Sequence, residues 1–173
     1  RKFYRTLAKF AQSKYEKRKL AHLGSDDMES FKVQEREGAC ALDILRKYKS
    51  VDINPTQLLD ILPRSKPRLY SISSSCLATP SEIHLLVSVV TWKTPTGRLR
   101  GGQCSTYLAS LGAGDTIRAE VRDSGMRLPE DVSKPMVMVG LGTGLAPLIS
   151  FATERMALHV QGKTVGPMSL YFG

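Results

Sequence analysis

Cysteine is scarce in this chain: Cys40, Cys76 and Cys104 are far apart among 173 residues. That spacing excludes a disulfide framework and a paired-cysteine metal site, and it implies a reducing compartment, the cytoplasm being the natural one. Histidine is equally sparse, and His22, His84 and His159 show no ligand or triad spacing. No metal site is expected. No run of about 18 apolar residues occurs, so a transmembrane helix is excluded. The chain opens on Arg1-Lys2-Phe3-Tyr4-Arg5, with no initiator Met and no apolar signal core, so no secretory signal is visible. Acidic residues are outnumbered, 16 Asp+Glu against 25 Lys+Arg, for a formal net charge of +9. Aromatics make up only 7% and no nucleic-acid motif accompanies the charge, so a nucleic-acid partner is not expected.

What is present is an ordinary globular balance, 42% hydrophobic and 24% charged, over a length that suits one domain or two small ones. Arg1, Lys2, Arg5, Lys9, Lys14, Lys17, Arg18 and Lys19 crowd the first twenty residues, opposed only by Glu16. Phe3, Leu7, Phe10 and Ala11 recur among them at helical spacing, which predicts one amphipathic helix with a basic outer face. Two readings of that face stand: a solvated surface of a helical subdomain, or a docking surface for an acidic partner or for nucleic acid. Gly24 offers a stop, followed by Ser25, Asp26 and Asp27 as cap candidates. Residues 39–48 read as a further helix, and Asn54-Pro55-Thr56 opens a short one that ends by Pro63. This first third carries no cluster of chemistry-bearing residues and reads as scaffold.

The texture changes at Pro67. Residues 68–74, 83–92 and 116–121 are rich in β-branched and apolar residues, with turn residues at Pro95-Thr96-Gly97 and Gly112-Ala113-Gly114-Asp115 and a short helix over 105–110. Strands at this spacing suggest a β-barrel or sandwich. A third texture begins at Lys134-Pro135: Met136-Val137-Met138-Val139 predicts a strand buried on both faces, followed by Gly140-Leu141-Gly142-Thr143-Gly144-Leu145-Ala146-Pro147, a helix through Leu158, and a second strand over 168–172. A lone β-α-β unit cannot cover its own apolar faces. The expectation is therefore a piece of a longer protein, with a naturally short one as the alternative.

Three stretches carry chemistry. In the strand–GLGTGLAP–helix, glycines permit close backbone approach and the helix N-terminus presents N–H groups to a phosphate. Packing turns also use Gly, but the strand-before, helix-after context favours a nucleotide. In Arg68-Leu69-Tyr70-Ser71-Ile72-Ser73-Ser74-Ser75, strand alternation lets Arg68 and Tyr70 point together with Ser71 at the edge. An Arg pairs with a diphosphate, a Tyr face stacks on a flat ring and a hydroxyl bonds a ring nitrogen; a Ser-rich loop with an edge Tyr is the other reading. In Gly101-Gly102-Gln103-Cys104-Ser105-Thr106-Tyr107-Leu108, small residues before a helix make an anion pocket. Cys104 has no His beside it and reads as a small shaping residue rather than a nucleophile.

Together RLYSISSS, HLLVSVVTW, GGQCSTYL and MVMVGLGTGLAPLISF resemble the FAD- and NADPH-binding module of the diflavin reductases, a family that includes the sulfite reductase flavoprotein and pyruvate:NADP oxidoreductase. The resemblance implies an α+β, multi-part fold: a helical connecting subdomain over 1–62, an antiparallel flavin-binding β-barrel, incomplete, over 63–133, and the first β-α-β unit of a parallel α/β NADP-binding domain over 134–173. It implies that Arg68 pairs with the FAD diphosphate, that Tyr70, next to Leu69, stacks on the isoalloxazine, and that Ser71 bonds near N5 as the catalytic hydroxyl. Leu86 and Ser88 fall on the flavin-facing alternation, and Trp92 stands where the family often has Tyr near the adenine. Gly102, Gln103, Cys104 and Ser105 would wrap the diphosphate, and Gly142, Thr143, Gly144 and Pro147 would shape the NADPH pocket. Expected cofactors are FAD and NADPH, with FMN in a separate domain of the parent protein. The barrel's first strands, the FMN domain and the family's 2′-phosphate-binding and terminal residues have no counterpart here.

The implied activity is hydride transfer from NADPH to FAD, with electrons passed to an FMN (flavodoxin-like) domain or another redox partner. The other expectation is a non-catalytic interaction module whose flavin site is vestigial or incomplete.

Overall fold

A computed structural model describes residues 1–173. Two compact units divide the chain: Arg1–Pro67 with Thr91–Gly101, and Arg68–Val90 with Gly102–Gly173.

The first unit holds helices α1 (Lys2–Phe10), α2 (Lys14–Leu23), α3 (Met28–Arg36), α4 (Ala41–Lys47) and α5 (Pro55–Ile61), then strands β1 (Thr91–Lys93) and β2 (Leu99–Gly101). The single basic helix expected over the first twenty residues is in fact two. The break has a tertiary cause: the Gln12 N–H donates to the Ser50 carbonyl at 2.9 Å, the Asp52 N–H donates to the Phe10 carbonyl at 3.0 Å, and Ala11 bridges Val51. Ser13 then caps α2, its hydroxyl accepting the Glu16 N–H. Asp27 caps α3 in the same way, and Asn54 and Gln57 form a reciprocal capping box behind Pro55 at the start of α5. Tyr4, Leu7, Ala8, Ala11, Leu20, Leu23, Ile44 and Tyr48 make the core, with Leu7 and Leu20 fully buried. Each of those two leucines contributes about 1.5–3 kcal/mol by leaving water.

β1 and β2 pair antiparallel with Trp92 opposite Arg100 around the expected 95–97 turn, where Gly97 takes a φ of +81°. The hairpin is tied to the helices by polar contacts. Glu37 accepts the Thr96 N–H at 3.1 Å and its hydroxyl at 2.6 Å, while Asp43 receives Arg98 at 2.9 Å and Arg100.

The second unit contains α6 (Gln103–Ala109), β3 (Met136–Gly140), α7 (Leu145–Val160) and β4 (Met168–Phe172). β3 and β4 run parallel, Met136 opposite Met168 through Gly140 opposite Phe172, with α7 as the crossover. Gly140 allows α7 to lie close, since a Cβ there would meet Leu148 Cδ1 at 2.8 Å. Met138, Ala146, Leu148 and Leu158 are buried beneath the helix. Val137 and Val139 are 68% and 76% exposed, which corrects the expectation of a strand buried on both faces: α7 covers one face of a two-stranded sheet and nothing in the unit covers the other.

Among the expected β segments of this unit, residues 68–74 and 83–90 meet at the Ile72–Leu85 bridge, the 2.8 Å bond from Ser73 N–H to the His84 carbonyl and the 3.0 Å bond from His84 N–H to Ser74 Oγ, short of a regular ladder. Residues 116–121 form no ladder, because a strand exists only through a paired neighbour and no other segment aligns with them. The architecture is α+β, with seven α-helices and two two-stranded sheets. No helix is long and apolar enough to cross a membrane.

Candidate functional site

Residues of the second unit that stand apart in sequence come into contact. The Tyr70 phenol lies beside Cys104, whose side chain, together with burial, raises the phenol pKa against the lowering pull of Arg68. The arginine-tyrosine segment and the start of α6 are therefore neighbours. Tyr70 is half-buried, while Leu69 and Ser71 are exposed.

α6 begins at Gly102 for a steric reason. A Cβ there would meet Ser105 Oγ at 2.7 Å and Val90 Cβ at 3.1 Å. Two bonds hold Val90 in this position: its carbonyl accepts the Gly102 N–H at 2.8 Å, and its own N–H donates to Ser105 Oγ at 3.1 Å. Ser105, 6% exposed, is thus a packed structural hydroxyl. The first intrahelical donor is Thr106, so the N–H groups of Gln103, Cys104 and Ser105 precede the helix ladder, and neither a side-chain cap nor a first-turn acid claims them. The donor set suits an anion.

The glycine turn is built alike. Gly142–Gly144 form one 3₁₀ turn before α7, with Gly142 at φ +52°. A Cβ at Gly142 or Gly144 would meet nothing within 4 Å, so this backbone is open to a ligand. α7 has no side-chain cap and no acid in its first turn. Thr143 is exposed and Pro147 sits half-buried within α7's first turn. These features fit two anionic groups, one at the start of α6 and one at the glycine turn. Leu86 and Ser88 are exposed on the segment that follows the Leu85 bridge. Trp92 belongs to β1 of the first unit, where it stands 3.3 Å from the position a Cβ on Gly38 would take.

Sequence reasoning passed over Ser75, Ser150 and Glu154. Ser75 is 1% exposed and donates to the Glu154 carboxylate, and Ser150 Oγ donates to the Ser74 carbonyl at 2.8 Å. A cavity of about 530 Å³ lies beside them, lined in part by Ile72, Ser74, Cys76 and Glu82. The i, i+4 spacing of Ser150 and Glu154 was the available signal, since it places two polar groups on one stripe of a mainly apolar helix.

The sequence profile of the FAD binding domain family matches residues 1–107. The chain is 37% identical over 177 residues to the sulfite reductase (NADPH) flavoprotein component of Saccharomyces cerevisiae, covering 100% of this chain and 17% of that protein. It is 38% identical over 178 residues to NADPH-dependent diflavin oxidoreductase 1 of Arabidopsis thaliana, covering 100% and 28%. A mitochondrial pyruvate dehydrogenase (NADP+) of Euglena gracilis is 39% identical over 172 residues, covering 99% and 9%. The chain thus spans between 9% and 28% of the length of these relatives.

Proposed function

The chain belongs to the FAD binding domain family, and from that premise we propose that it is the flavin-holding segment of an NADPH-dependent flavoprotein reductase of the diflavin type. The start of α6 supports this reading: Gly102 is fixed against Val90 and Ser105, no side chain caps the N–H groups that follow, and Tyr70, on the segment that bears Arg68 and Ser71, neighbours Cys104 there. In this assignment 1–62 is the helical connecting subdomain, 63–133 an incomplete portion of the flavin barrel and 134–173 the first β-α-β unit of the NADP-binding domain.

Arg68 and the N–H groups of Gln103, Cys104 and Ser105 hold the FAD diphosphate by charge-assisted hydrogen bonds. Gly102 keeps that backbone accessible. Tyr70 offers its ring to the isoalloxazine, Leu69, Leu86 and Ser88 border it, and the Ser71 hydroxyl donates to N5, orienting the atom that receives hydride. Gly142, Thr143, Gly144 and Pro147 shape the seat of the NADPH diphosphate at the start of α7. When bound, the flavin supplies a two-electron acceptor that can release electrons one at a time. The onward acceptor is an FMN domain or another redox protein. Three unbridged cysteines fit a reducing compartment such as the cytoplasm.

The reading is tested by absorbance. Purified protein mixed with FAD is expected to show a bound-flavin band near ~450 nm that bleaches on anaerobic addition of NADPH. Protein that stays colourless in excess FAD would contradict the assignment and favour a non-catalytic interaction module.

A further inference from the structure

Helix α7 leaves the glycine turn and passes the end of the arginine-tyrosine segment, and two side chains one turn apart fasten it there. Ser150 Oγ donates to the Ser74 carbonyl at 2.8 Å, and Glu154 accepts the hydroxyl of Ser75, which is 1% exposed. Ser75 is also the hub of its own turn: its Oγ accepts the Leu77 N–H at 3.1 Å, and its carbonyl accepts the Thr79 N–H at 2.8 Å and the Thr79 hydroxyl at 3.0 Å. Between Ser71 and this hub the backbone is fixed by the Ile72–Leu85 bridge and the Ser73–His84 bond. Hydrogen-bonded structure therefore runs from Ile72, next to Ser71, to α7, the helix that follows the Gly142–Gly144 turn.

On the opposite side Arg155, fully buried, donates through Nη1 to the Lys134 carbonyl at 2.9 Å and the Gly166 carbonyl at 3.4 Å. α7 is thus pinned both to the starts of β3 and β4 and to the segment after Ser71. A helix held by apolar packing alone can slide by fractions of an ångström. Directional bonds on both sides prevent that.

We propose that Ser150 and Glu154 are positioning residues for hydride transfer: through Ser74 and Ser75 they fix the distance between the flavin-binding segment and the dinucleotide-binding turn. The role rests on the function proposed above. Neither residue touches a cofactor. Their effect falls on the separation of donor and acceptor, to which rates respond steeply.

The test uses the full-length, FAD-loaded reductase carrying this segment, as wild type and as Glu154→Ala, Glu154→Gln, Ser75→Ala and the Ser75→Ala/Glu154→Ala double variant. Flavin content and the NADP+ dissociation constant are expected to stay within about twofold of wild type, while anaerobic flavin reduction slows about tenfold in Glu154→Ala. The deuterium isotope effect with NADPH labelled at the transferred position should rise with it. Glu154→Gln, which still accepts a hydrogen bond, should recover to within about twofold, and the double variant should be no slower than Glu154→Ala, because the two groups act through one contact.

Amide exchange provides a readout without turnover. The Leu77 and Thr79 amides should exchange at least about tenfold faster in Glu154→Ala, since their acceptor residue has lost its anchor. Unchanged exchange, an unchanged reduction rate, or loss of FAD in step with the rate would overturn the proposal. If Glu154→Ala does not fold, Ser75→Ala carries the same comparison. Wild-type protein that takes up FAD yet is not reduced by NADPH overturns the function itself, whereas unaltered exchange overturns the tie alone.

Discussion

Gly102 shows how much one missing methyl can decide. Its N–H is spent on Val90, its Cβ position is blocked by Ser105 Oγ and Val90, and the three following N–H groups are the ones offered to an anion. Gly102→Ala is expected to push the start of α6 aside and weaken FAD binding at least about tenfold while far-ultraviolet dichroism stays unchanged, because the displaced donors miss their acceptor. Ser105→Ala acts on stability instead. It removes the acceptor of the Val90 N–H, and leaving such a donor unmet costs about 1–3 kcal/mol, measurable by urea unfolding. At Tyr70 the neighbouring Cys104 side chain holds the phenol pKa up, so Cys104→Ala should lower it, as an absorbance titration of the phenol would register. Gly102 was readable as a small residue before a helix. The Ser105–Val90 bond was not, because it joins segments through a fold that alternation alone does not specify.

At the scale of elements, the helix caps were legible and the strands were only partly so. Asp27 and the Asn54-Pro55-Thr56 start were visible because capping is local chemistry. The break between α1 and α2 was hidden. Ser13 looks like a surface residue of one continuous helix until Ser50 arrives to bond it and Glu16. Extended segments need partners elsewhere in the chain, so 116–121 carries strand composition without forming a strand.

The hairpin β1–β2 hangs on a carboxylate at the start of α4. Asp43 accepts the Cys40 N–H and binds Arg98, Cys40 and Arg100 through its side chain, and these hold its pKa well below the usual carboxylate range. A carboxyl whose folded pKa is depressed contributes stability above its unfolded value of about 3.9, and that contribution is lost as pH falls through the folded value. Asp43→Asn should therefore lower the melting temperature most near neutral pH. The difference from wild type should begin to shrink as pH falls below about 4 and vanish only below the depressed folded value. A penalty that is the same at all pH values would show that packing, not charge, secures the hairpin.

Over the whole molecule, two units with separate cores share one chain. Trp92 is the single tryptophan and lies in the first unit, so its fluorescence reports that unit's unfolding. Leu7→Ala, at a fully buried position, should destabilise the transition seen by Trp92 by about 2–5 kcal/mol. The second unit is marked by apolar surface left in water, with Val137, Val139, Tyr171 and Phe172 all more than half exposed. The β-α-β order and its glycine turn were legible because a strand, a Gly-rich turn and a helix in succession leave few alternatives. The one-sided burial of β3 was not, since an apolar run reads alike whether one face or two are covered.

In the function proposed above, Arg68 and the start of α6 together hold the diphosphate of FAD. A fluorescence titration of FAD into the wild-type chain, Arg68→Ala and Gly102→Ala tests it most directly. Saturable quenching of flavin emission by the wild type, weakened at least about tenfold in both variants, is the predicted result. Equal affinity in all three proteins would place the flavin elsewhere and contradict the account.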